Sequence, residues 1–195
     1  MVKGIALAAM VAALAAGGTA AYLTDFESAT NSFTVGKVDI ELDEPNWKPD
    51  ENTKLVPTQV IKKDPFVKNL GVNDAFVYLE VSVPVRNVIT AALDGTRNAL
   101  AKTEVFSYTK NKEWTQMERK EIGQNMVYTY VYNSILKPGE KTATLFNTVT
   151  FANIIEGQLD TQQLDMPVRA YAIQSTNTGD DKTTVLEQAT AAYQK

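Results

Sequence analysis

The stretch AFVYLEVSVPV, residues 75–85, decides the fold class. In an extended chain Ala75, Val77, Leu79, Val81 and Val83 face one way, and Phe76, Tyr78, Glu80 and Ser82 face the other. Strict alternation in a run rich in β-branched and aromatic residues marks a β-strand with one buried face. Pro84 has no backbone N–H to give a ladder, so it is expected to end this strand or to place it on an edge. Just upstream, NLGVND (residues 69–74) carries the Asn, Gly and Asp of a turn.

Outward from this strand the pattern recurs. Short strands are expected at residues 55–60, 66–70 and 104–109. In NMVYTYVYN (125–133), Val127, Thr129 and Val131 alternate with Tyr128, Tyr130 and Tyr132. LKPGEK (136–141) reads as a turn with Pro138 and Gly139 at its centre, followed by a strand within 142–154. MPVRAYAIQST (166–176) reads as the last strand. Upstream, NSFTVGKVDIEL (31–42) alternates in two frames: Phe33 and Val35, then Val38, Ile40 and Leu42. A one-residue shift of frame implies a bulge or corner, placed at Gly36. Two segments change period. Val88, Ala91, Ala92 and Ala99 have helical spacing, which predicts a helical insertion over about 86–103. Val185, Leu186, Ala189 and Tyr193 predict a short C-terminal helix. The expected architecture is mainly β: an antiparallel β-sandwich, of jelly-roll type by its strand number and long loops.

Composition narrows the chemistry. The chain has 195 residues, 44% hydrophobic and 22% charged, enough for a sizeable core. Its net charge of −4 offers no basic surface for nucleic acid. It contains no cysteine and no histidine. That removes disulfides, thiolate sites, the commonest general base and the commonest zinc ligand. No Ser-His-Asp set, H-E-x-x-H helix or phosphate loop is present. Acidic clusters at Asp39, Glu41, Asp43 and Glu44, at Asp50 and Glu51, and at Asp180 and Asp181 lack the spacing of a calcium loop and read as solvated. Tyr128, Tyr130 and Tyr132 read as one face of a half-buried sheet, with a carbohydrate-binding face as the competing reading. No catalytic residue, metal ligand or cofactor is assigned.

The N-terminus reads as a secretory signal peptide, residues 1–21. Lys3 precedes an uncharged, Ala-rich run over 4–18, shorter than the roughly 20 residues of a membrane span. Small residues follow, which places cleavage between Ala21 and Tyr22. Residues 22–195 then form one secreted domain.

Four segments together resemble the bacterial TasA/camelysin family: GGTAAYLTDFESATNSFTVGKVDIEL (17–42), VKNLGVNDAFVYLEVSV (67–83), LKPGEKTATLFNTVTF (136–151) and RAYAIQ (169–174). They occur in the family's order and span most of the chain, with residues 86–121 matching least. The resemblance implies a signal peptide cut by a dedicated signal peptidase of the SipW type. It also implies a secreted jelly-roll subunit that forms fibres in the biofilm matrix, with a possible accessory matrix or anchor protein as partner. Some members are classed instead as a cell-surface metalloprotease, camelysin, a class for which a histidine-free chain is poorly equipped. A surface adhesin is the third reading.

Fibres of this family assemble by donor-strand exchange, and the physics applies to this chain. A sandwich lacking one strand leaves an open edge and an apolar groove for an extended segment of the next subunit. Cleavage at Tyr22 would free residues 22–35 for that role. Leu23, Phe26, Phe33 and Val35 are expected to carry its burial, with Gly36 as the corner between donated and retained chain.

Overall fold

The computed structural model describes residues 38–48, 55–160, 162–176 and 184–194, all within one unit, Gly36–Lys195. Among them the chain forms β1 (Ile40–Asp43), β2 (Val60–Lys62), β3 (Phe66–Asn69), β4 (Ala75–Val88), β5 (Ala101–Glu104), β6 (Phe106–Ser107), β7 (Trp114–Ile122), β8 (Asn125–Tyr132), β9 (Thr148–Phe151), β10 (Val168–Gln174) and a helix, α1 (Val185–Tyr193).

β4 organises the rest. Every ladder is antiparallel, and the main sheet runs β10-β4-β8-β7, with β5 paired to the far half of β4. A second sheet, β2-β9-β6, packs on it. The shared core takes Val77, Leu79, Val81 and Val83 from β4, Trp114 and Tyr130 from β7 and β8, and Ile61, Phe106, Val149 and Phe151 from the second sheet. β1 pairs with β3, whose other side is bonded by the 139–142 segment: Gly139 N donates to Asn69 O at 2.8 Å and Thr142 N to Val67 O at 2.8 Å. These ladders define antiparallel sheets without by themselves giving the strand order of a jelly roll.

The five-stranded sheet curls. β5 and β7 do not pair, yet Glu104 of β5 receives Arg119 of β7 at 2.8 Å, and Lys102 of β5 meets Glu121 of β7. Side chains thus close what the ladder leaves open.

Residues 75–79 are buried on both faces, against the one-faced pattern of the sequence. The reason is α1. Phe76 and Tyr78 point away from the main core and are covered, with Val131, by Ala189 and Ala192 of the helix. Tyr78 OH donates to Ala189 O at 2.7 Å. A helix of nine residues is marginal in water. Here it has a capping box, with Thr184 Oγ1 accepting from Glu187 N and Glu187 Oε2 accepting from Thr184 N, both at 3.2 Å, and an apolar face to dock on.

Two sequence expectations are corrected. Pro84 does not end β4, which runs on to Val88. Ser82 N donates to Pro167 O, and Pro84 O accepts from Val105 N, so this side of β4 passes from β10 to β5. N–H groups alternate sides along a strand, so the missing N–H of Pro84 faces the gap between those two partners and costs no ladder bond. The helical insertion over 86–103 is not a helix. β4 continues through it, β5 pairs back from Val85↔Glu104 to Val88↔Ala101, and a bridge joins Ala91 to Arg97. Val88, Ile89 and Thr90 favour extended backbone. Gly95 turns the chain with a φ of 83°, a conformation glycine adopts without strain. The alanines that mimicked a helical stripe have little to bury, since residues 92–102 are exposed.

Candidate functional site: the open edge beside β10

The two edges of the main sheet differ. β7 is defended. A register shift between Gln116 and Glu118 interrupts its ladder, and Glu118, Arg119, Lys120 and Glu121 are all exposed. A bulge and charges are the usual means of keeping an edge from pairing with another chain. β10 has neither. Its sequence VRAYAIQ has one charge, Arg169, an unbroken register with β4, and no second partner among the described residues. On its inner face Val168, Ala170 and Ala172 touch the core but stay half-buried. Two alanines in that row leave room beside them for larger side chains.

β1 borders the same opening. Among the described residues it pairs with β3 alone, and its inward residues Ile40 and Leu42 are likewise half-buried against the core. β1 and β10 come near each other without a ladder between them. The groove between their ends has a volume of about 430 Å³, with apolar walls from Leu42, Trp47, Met166 and Val168. A strand with one edge open among the described residues on each side, and a half-covered apolar floor, are the geometric needs of an added strand.

The polar lining is organised around Lys63, which is 6% exposed. Its Nζ lies 2.7 Å from Glu44 Oε2 and 5.0 Å from the centroid of the Trp47 ring. Beside it Asp64 accepts from Asn46 N at 3.0 Å and Asn46 Nδ2 at 2.7 Å. A lysine so buried is held by its counter-charge and by the indole face. Glu44 Oε1 is buried without a hydrogen-bond partner among the described residues.

Ala21, Tyr22, Leu23, Phe26, Phe33, Val35 and Gly36 lie outside the described residues, as do Asp50, Glu51, Asp180 and Asp181. The retained frame behaves as expected: Ile40 and Leu42 turn inward, Glu41 and Asp43 outward. The tyrosine row belongs to the core. Tyr130 is buried, its hydroxyl 2.9 Å from that of Tyr108, while Tyr128 OH bonds Glu104 at 2.8 Å and receives Arg119 Nε at 3.1 Å. Burial holds Tyr108 far above the ordinary tyrosine range and pushes Tyr130 up to about 12. Sequence reading missed β7. Its charged outward residues hide the alternation, and the charges themselves were the signal of an edge. It also missed Lys63, since a lone lysine in a loop gives no cue, and it read Glu44 as solvated, whereas Glu44 is largely buried as the counter-charge of Lys63.

The architecture is that of a cysteine-free, mainly β protein with one defended and one open sheet edge. The chain belongs to the camelysin metallo-endopeptidase family (peptidase M73), whose family model matches residues 1–180, ending before α1. No curated protein and no solved structure matches it. The family description implies a catalytic metal, and no group among the described residues fits one. The chain has no His or Cys, and among the described residues no three carboxylates gather around a common point.

Proposed function

We propose that the protein is a secreted structural subunit that polymerises by donor-strand exchange into extracellular biofilm-matrix fibres. The observation that carries this reading is the contrast between the defended β7 edge and the open, small-residue edge of β10 beside an apolar groove. Residues 22–35 of one copy, freed by a dedicated signal peptidase at Ala21–Tyr22, enter the opening between β10 and β1 of the next. Leu23, Phe26, Phe33 and Val35 fill its half-covered floor, each contributing roughly 1.5–3 kcal/mol when fully buried. Gly36 is the corner where the donated chain leaves its own domain. The added strand completes a sandwich of jelly-roll type. The contact is head-to-tail and does not close, so its product is a filament. Family membership supports export to the cell surface or beyond. An accessory matrix or anchor protein is the further partner.

Deleting residues 22–31 from the secreted chain tests this. Negative-stain electron microscopy is expected to show filaments for the full chain and none for the deletion; unchanged filaments would refute the exchange. The family description favours a second reading, a cell-surface metalloprotease. Casein cleavage by the pure protein, abolished by a chelator, would establish it.

A further inference from the structure

Glu44 raises a question that assembly alone leaves open. Its Oε2 holds the Lys63 ammonium, while its Oε1 is buried without a partner among the described residues. A buried acceptor with no donor is costly, and more so on a charged group. Glu44 lines the groove together with Asp43 and Asp165, against the single cation of Lys63. The lining therefore favours an incoming positive charge. The donor stretch YLTDFESATNSFTV, residues 22–35, carries Asp25 and Glu27, three and five residues beyond its end, and no lysine or arginine. Its one cation is the α-ammonium created when the chain is cut before Tyr22.

We propose that Glu44, in the lining of the groove, captures the α-ammonium of Tyr22 from a neighbouring copy. The inference rests on the donor-strand reading and adds to it the group that is recognised. An ammonium brings three donors and a charge, so it satisfies Oε1 by a charge-assisted bond while Lys63 keeps Oε2. A backbone N–H would fill the same lone pair and leave the acidic lining unbalanced. Capture of a chain terminus is a known mode of peptide recognition. The consequence is a processing switch. In the uncut precursor the Tyr22 nitrogen is an uncharged amide, so cleavage both frees the strand and creates the group its acceptor binds.

The test compares the secreted chain with a free Tyr22 amine, the same chain acetylated at that amine, and both forms carrying Glu44→Gln. Polymerisation is followed by light scattering and negative-stain microscopy. Acetylation is expected to slow assembly at least tenfold. Glu44→Gln is expected to slow it similarly, with acetylation then adding little, since the two changes remove the same contact. Assembly of the acetylated chain at the free-amine rate would overturn the proposal. Acetylation leaves the acceptor untouched, so it decides the matter even if Glu44→Gln fails to fold. The 22–31 deletion separates the two readings. If it abolishes filaments while acetylation does nothing, only the ammonium capture fails; if it leaves filaments intact, the donor-strand reading fails with it.

Discussion

Lys63 and Tyr78 are two residues whose environments make measurable claims. Lys63 is buried with Glu44 as its counter-charge. Replacing Glu44 by Ala strands the lysine in a dry site and is expected to cost about 3–5 kcal/mol in urea unfolding, whereas the joint change Lys63→Met with Glu44→Leu should recover much of it. Tyr78 is pushed up to about 12, first by burial and then by the Tyr193 phenol beside it. Its neutral form is the one the fold holds. The stability it contributes is therefore complete below the unfolded value near 10 and is lost as pH rises from there through about 12. Denaturant unfolding between pH 8 and 12 should show a loss from this group of about 2–3 kcal/mol, and Tyr78→Phe should remove that part of the slope. An unchanged slope in Tyr78→Phe would mean that Tyr78 ionises as freely in the fold as outside it. Tyr78 was legible as a strand residue from alternation. Its burial was not, because what covers it arrives more than 100 residues later in the chain.

At the scale of elements, the sequence was clearest where one physical signal acted alone. β4, β8 and β10 alternate openly, and α1 shows helical spacing after a capping threonine. The 86–103 segment was misread because alanine fits both periods, and the extended preference of Val88, Ile89 and Thr90 outweighed it. The expected strand at 55–60 also shifted: a turn with Thr58 at a φ of 65° precedes β2, which starts only at Val60. A single positive-φ threonine leaves no sequence mark. The helix makes the clearest prediction at this scale. Truncation after residue 183 uncovers Phe76 and Tyr78, two large side chains worth roughly 1.5–3 kcal/mol each. Chemical denaturation is expected to show a loss of about 3–6 kcal/mol, with increased binding of a hydrophobic dye. Full stability in the truncated chain would mean that α1 does not seal this face. The family match ends at residue 180, so this cover is an addition to the matched region.

For the whole molecule, the mainly β class was legible and the open edge was not. The proposed donor stretch rests on local sequence alone, a terminus beside a strand pattern, and lies outside the described residues. The opening beside β10 was not legible, because it exists only where β1 and β10, far apart in the chain, come near each other. The chain has no cysteine, so single introduced thiols report that meeting without background. One population would carry Ala170→Cys on β10, and a second a single cysteine at each position from 23 to 35 in turn. Disulfides need Cα atoms roughly 4.4–6.8 Å apart, so only near neighbours link. Links between copies are expected at the donor position facing Ala170, more weakly two residues to either side and not at the positions between, and none when the thiol sits instead at Lys120→Cys on the defended β7 edge. Links to β7 at equal yield, or links with no alternation along the donor, would contradict strand exchange at β10.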